Sequence, residues 1–210
     1  MKPDEFVEHF RSQRASAILR TNDEAIARQA MAAAVRGGFR IVEFTMSIPN
    51  TTGLIREFAA DQDLVVGAGT VLTCDDADAV IDAGAKFVVS PVVDCEVIQH
   101  CVKRNVACMP GCSTPTEMLT AHRAGAALQK LFPQTGTGPM FVKHCKGPLP
   151  FLNIVPTSGV TIDNVAEYFA AGAHAVGFVA SLFTPDDLAR GNFSAIEERA
   201  QQMLAAARNA

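Results

Sequence analysis

The chain has 210 residues, 49% of them hydrophobic and 19% charged, with a formal net charge of -4. That length can bury a substantial core, the composition excludes a disordered chain, and the absence of any lysine or arginine run excludes a broad nucleic-acid footprint. No apolar stretch, Ala30 to Val35 included, approaches the roughly 20 residues of a membrane span. The acidic start, with Asp4, Glu5 and Glu8, is unlike a signal peptide, so a cytoplasmic protein is expected.

No Pro/Ser linker or low-complexity tract divides the sequence, so residues 1–210 read as one domain. The first β-branched apolar run, Ser16 to Leu19, precedes a helix start at Thr21 with Glu24, read as a capping box. Gly37-Gly38 then feeds a second run, Ile41 to Thr45. The third, Leu64 to Gly67, passes into the glycine-rich turn Gly67-Ala68-Gly69-Thr70. Ala83-Gly84-Ala85 feeds Phe87 to Ser90. Val106 to Met109 is followed by the turn Pro110-Gly111-Cys112-Ser113-Thr114 and by a second capping box, Thr114 with Glu117, with Pro115 at the first helical position. Ala124-Gly125-Ala126 leads into Ala127 to Phe132, and Leu152 to Val155 leads into Pro156-Thr157-Ser158-Gly159. Ile162, Val165, Ala166, Phe169 and Ala170 form an apolar helical stripe. Ala171-Gly172-Ala173 feeds the eighth run, Ala175 to Val179, and Ser194 with Glu197 marks a last helix start.

These eight units, of about 26 residues each, predict an α/β fold, a (β/α)8 TIM barrel near its lower size limit. An open doubly wound sheet would carry a glycine fingerprint after the first strand, where Arg20-Thr21-Asn22-Asp23 stands instead. In a barrel the chemistry sits where strands end. Alternation turns Glu43 and Thr45 inward and Val42 and Phe44 toward the helices, and an inward carboxylate is costly unless partnered or used. Lys130 interrupts the apolar sixth strand. An apolar setting favours its neutral amine, the form that attacks a carbonyl to give a Schiff base; the plainer alternatives are a lysine reaching out from the strand or one paired with Glu43. Three glycine-rich turns on one rim offer backbone amides to an anion. The six cysteines read as reduced, buried or half-buried small hydrophobes, and neither they nor the five scattered histidines have metal-ligand spacing.

At these residues the sequence resembles the 2-keto-3-deoxy-6-phosphogluconate aldolase and 4-hydroxy-2-oxoglutarate aldolase family. The likeness runs from Ala17-Ile18-Leu19-Arg20 to Ser181-Leu182-Phe183. Its most specific stretches are Val42-Glu43-Phe44-Thr45, Val66-Gly67-Ala68-Gly69-Thr70-Val71-Leu72, Val89-Ser90-Pro91, Pro110 to Glu117 and Lys130-Leu131-Phe132-Pro133. The resemblance implies that Lys130 is the Schiff-base lysine and Glu43 the proton-shuttling carboxylate. It further implies that Arg20, Thr45, Thr70, Pro91, Thr157, Ser158, Gly159, Ala180 and Ser181 contact a small-molecule 2-oxo acid. The assembly it implies is a homotrimer, with no metal or other cofactor.

The sequence departs from the family at four places. Ser47 stands where an arginine is usual, Ser158-Gly159 replaces a double glycine, Val179-Ala180-Ser181 replaces a second glycine site, and Gln134-Thr135-Gly136 lacks a common Glu. The added Cβ atoms would crowd the approach of a phosphate. The chemistry expected is imine formation at Lys130, carbon–carbon cleavage to an enamine and an aldehyde, proton transfers by Glu43 through a water, and release of pyruvate, with Thr70, Thr157 and loop amides holding the substrate carboxylate. The competing readings are a barrel sugar-phosphate isomerase or epimerase, in which Lys130 is a charge partner, and a non-catalytic barrel that binds 2-oxo acids.

Overall fold

Hydrophobic layers on both sides of a ring of parallel strands organise the chain. The computed structural model describes residues 1–134 and 137–210. The strands are β1 (Ala15–Leu19), β2 (Ile41–Thr45), β3 (Val65–Gly69), β4 (Phe87–Ser90), β5 (Ala107–Cys112), β6 (Gln129–Leu131), β7 (Ile154–Pro156) and β8 (Val176–Phe178). All pair in parallel in the order β7-β6-β5-β4-β3-β2-β1-β8. The His174 amide, just before β8, donates to the Ile154 carbonyl of β7 at 2.8 Å and brings the two end strands together. The expected barrel is therefore present and nearly closed.

Around it run α2 (Glu24–Arg36), α3 (Thr51–Ala59), α4 (Cys74–Asp82), α5 (Cys95–Lys103), α6 (Pro115–Arg123), α7 (Gly138–Lys146), α8 (Val165–Ala170), α9 (Pro185–Arg190) and α10 (Phe193–Asn209). Alternation works as expected on β2, where Val42 and Phe44 join the outer core under the helices and Ile41 joins the inner one. Gly38, Gly84, Gly125 and Gly172 all have positive φ, ending α2, α4, α6 and α8 in the turn that only a residue without Cβ adopts freely. Thr114, Pro115 and Glu117 form the expected capping box of α6.

Two other caps fall elsewhere. Asp23 caps α2 by accepting from the Ile26 amide, which leaves Glu24 at the first helical position and paired with Arg28. Asn192, not Ser194, precedes α10. The stripe expected on α8 is also displaced: Val165 and Tyr168 are buried while Ile162, Ala166 and Ala170 are exposed, and the half-buried Phe169 lies under the Arg14 guanidinium, 3.8 Å from its ring centroid. Cys101, Cys108, Cys112 and Cys145 are buried, Cys74 is half-buried and Cys95 is exposed, all as free thiols. No helix among the described residues is long and apolar enough to cross a membrane.

A further helix, α1 (Pro3–Gln13), closes the bottom of the barrel. Its Phe6 and Phe10 are fully buried among Ile41, Val65, Phe87, Val89, Met109, Leu128 and Val155. Phe6 stacks on Phe87 with centroids 4.6 Å apart. These side chains fill the lower interior. Phe6→Ala is expected to cost about 3–5 kcal/mol of unfolding free energy by opening a cavity under the barrel; chemical denaturation with an unchanged midpoint would contradict this plug.

Candidate active site

At the carboxyl ends of the strands lies a cavity of about 450 Å³, lined by Ile18 of β1 with Arg20 just after it, by Glu43 and Thr45 of β2, and by Lys130 of β6 with Phe132 just after it. Thr70 follows β3 and Pro91 follows β4, while Thr157 to Thr161 follow β7 and Val179 to Ser181 follow β8. Every residue that the family resemblance implies in the site therefore reaches one cavity.

Lys130 and Glu43 meet inside the barrel. Lys130 Nζ lies 3.6 Å from Glu43 Oε1, with only 11% of the lysine side chain and 1% of the glutamate side chain exposed. The lysine neither leaves the strand for solvent nor sits apart from the acid. Burial pushes the Glu43 carboxyl up from its ordinary value, and the positive charges of Lys130 and, less strongly, Arg20 pull it part of the way back. Glu43 Oε2 and Thr157 Oγ1 are both buried with no partner among the described residues. Such atoms need a water or a ligand group. Arg20 donates to Thr70 Oγ1 at 3.2 Å, and Thr70 holds a left-handed backbone with φ of 64°, the kind of strained residue that collects at functional sites.

The glycine-rich segments divide into different jobs. Gly67, Ala68 and Gly69 belong to β3, not to a turn, and Pro110, Gly111 and Cys112 belong to β5. Thr45 pairs with Gly69 in register, and a Cβ on Gly69 would land on the Glu43 carboxylate. A Cβ on Gly67 would land in the Phe87 ring, and one on Gly111 in the Pro91 backbone. These glycines make room for neighbours. Ser113 and Thr114 are committed to Glu117 through four hydrogen bonds of 2.8 to 3.1 Å, so the segment after β5 does not line the cavity.

The loops after β7 and β8 present amides to the site. Ser158, Gly159, Val160, Ala180 and Ser181 line it, and their backbone N–H groups have no acceptor among the described residues. Ser181 Oγ donates to the Val160 carbonyl at 2.7 Å, tying the two loops together. Ser47, standing where an arginine was expected from the family, shares a 2.8 Å hydrogen bond with Thr45 Oγ1 and so fixes that hydroxyl. The missing Glu concerns Thr135, which with Gly136 lies outside the described residues. Among the described residues no three His, Cys, Asp or Glu side chains gather to hold a metal ion.

The description KDPG and KHG aldolase matches residues 7–199 of this chain. The chain belongs to that aldolase family. It is 34% identical over 194 residues to 2-dehydro-3-deoxy-6-phosphogalactonate aldolase of Escherichia coli, covering 90% of each chain. It is 33% identical over 177 residues to 2-dehydro-3-deoxy-phosphogluconate aldolase of Treponema pallidum, covering 82% of this chain and 83% of that one. The solved structure of native KDPGal superposes with a TM-score of 0.83 at 30% identity, covering 93% of this chain and 94% of that chain. Aldol chemistry thus takes the place of the isomerase and the non-catalytic readings. Since Gly69 leaves space for the acid of the pair, Gly69→Ala is expected to lower aldolase kcat roughly a hundredfold by displacing Glu43, with the barrel's circular dichroism retained; a kcat equal to that of the parent would show that the carboxylate's placement is not set there.

Proposed function

We propose that the chain is a class I pyruvate aldolase whose cavity cleaves a 2-oxo-4-hydroxy acid into pyruvate and an aldehyde, with Lys130 as the nucleophile. The observation that carries this reading is the buried approach of Lys130 Nζ to Glu43 at 3.6 Å. The Lys130 lone pair bonds to the keto carbon, proton transfer and loss of water give an iminium ion, and its positive nitrogen becomes the sink for electrons. Cleavage between the third and fourth carbons sends that bond's electron pair into an enamine, while the proton of the C4 hydroxyl passes to Glu43 through a water. Protonation of the enamine at C3 by the same acid, then hydrolysis, frees pyruvate and restores the lysine.

Roles for the remaining side chains follow from their places around this pair. Thr70 and Thr157 hold the substrate carboxylate with support from Arg20, and Thr45 and Pro91 shape the wall beside the acid. The amides of Ser158, Gly159, Val160, Ala180 and Ser181 receive the far end of the substrate. A 2-keto-3-deoxy-6-phospho sugar acid and 4-hydroxy-2-oxoglutarate both have a carboxylate at one end and an anionic group at the other, and both fit this division. The working form proposed is a cytoplasmic homotrimer.

Borohydride added with pyruvate is expected to leave a permanent pyruvate adduct on Lys130, detected by peptide mass, and Lys130→Met is expected to lose both the adduct and turnover. Activity that survives in Lys130→Met would sink the imine. The pH profile supplies an independent check. Glu43 must be ionised to accept a proton, and burial holds its pKa above the ordinary 4.5, so kcat/KM is expected to fall with acidification at a midpoint above that value. Glu43→Gln is expected to remove this limb and about 10²–10⁴-fold of the rate. An acid limb unchanged in Glu43→Gln would assign it to another group.

A further inference from the structure

One buried polar contact lies outside the catalytic pair yet joins two walls of its cavity. Tyr168, the chain's only tyrosine, is fully buried on α8, and its hydroxyl donates to Gln134 Oε1 at 2.5 Å. Gln134 stands four residues beyond Lys130, on the segment leaving β6, whereas Tyr168 belongs to the helix that follows the Thr157–Asn164 segment. A buried tyrosine hydroxyl requires such a partner. Burial pushes its pKa up from 10, which keeps it a neutral donor. With the carbonyl of Gln134 held by Tyr168, its NH₂ group is turned the other way.

That NH₂ group lies near the cavity loop and nearer the start of α7, where a Cβ on Gly138 would stand 3.0 Å from it. Gly159 has φ of 73°, and a Cβ there would stand 3.7 Å from Gln134 Nε2. The same loop is held internally by Asn164, whose Nδ2 donates to the Gly159 carbonyl at 2.8 Å and whose Oδ1 accepts from the Thr161 amide at 2.9 Å. From the β8 side it is held by Ser181. On the β6 side Gln134 is this loop's neighbour, placed between the strand carrying the proposed nucleophile and the loop carrying the amides. We propose that Tyr168 and Gln134 are a positioning pair that sets the Ser158–Thr161 loop, and through it the affinity for the far end of the substrate. The proposal rests on the aldolase reading of Lys130, because that reading fixes which part of the substrate is tethered and which part the loop must hold.

The test separates the two ends of the substrate. Tyr168→Phe keeps the ring and its packing while removing the hydroxyl. For cleavage of 2-keto-3-deoxy-6-phosphogluconate or 4-hydroxy-2-oxoglutarate, whichever the parent turns over faster, KM is expected to rise about three- to tenfold, the scale of one net hydrogen bond, with kcat within about twofold. The pyruvate concentration that half-saturates borohydride trapping on Lys130 should not move, since pyruvate lacks the far end. Gln134→Ala is expected to raise KM by the same factor, and the double variant by no more than either single change. If Tyr168→Phe fails to fold, Gln134→Ala, at a half-buried site, carries the KM comparison alone. An unchanged KM, an equal loss of pyruvate trapping, or additive effects in the double variant overturns the pair's role. Failure of the parent enzyme to trap pyruvate overturns the aldolase reading instead, and this proposal falls with it.

Discussion

A lysine side chain and a glutamate carboxyl group, both taken out of water and 3.6 Å apart, form the constraint around which the upper half of this barrel is arranged. Neither group is well served by a hydrophobic interior alone, and desolvation is the largest influence on the acid. Because folding raises the Glu43 pKa, its ionisation subtracts stability as pH rises from the unfolded value through the raised one. The site therefore draws on stability supplied elsewhere.

That supply is visible in the lower half. Phe6 and Phe10 of α1, with Phe87 and the aliphatic residues of the inner strand faces, close the bottom of the barrel in a fully apolar layer. Above it the interior switches to polar and small residues: Glu43, Thr45, Gly67, Gly69, Lys130 and Thr157. The glycines matter here for the volume they leave. Gly69 admits the Glu43 carboxylate and Gly67 the Phe87 ring, while Gly177 lies where any Cβ would meet Ile18 and Thr157. A small barrel can thus hold a charged pair and a cavity of about 450 Å³ because glycines on neighbouring strands give up their side chains.

Much of this could be read from the sequence because period-two alternation and helix-ending glycines are local signals. Glu43 between Val42 and Phe44 already declared its face, whereas the pattern around Lys130 left open a reach to solvent, a pairing with Glu43 or an apolar pocket. The family resemblance then named the wider set of cavity residues. What could not be read was set by contacts distant in sequence. Gly67-Ala68-Gly69 and Pro110-Gly111-Cys112 have turn composition, yet they are strand, since their glycines answer to Phe87, Glu43 and Pro91 from neighbouring strands. Helix α1 escaped notice although Pro3 at its start, Asp4 and Glu5 in its first turn and Phe6 with Phe10 four residues apart all mark it. The Asp23 cap was hidden because Thr21 and Glu24 imitate a capping box two residues too early, and the Gln134–Tyr168 contact spans 34 residues that no local pattern connects.

The most direct test is a crystal structure of the protein frozen with pyruvate. The account predicts continuous electron density from Lys130 Nζ to the keto carbon, with a water between that carbon's neighbourhood and Glu43. Pyruvate lying unlinked in the cavity, or bound away from Lys130, would contradict it.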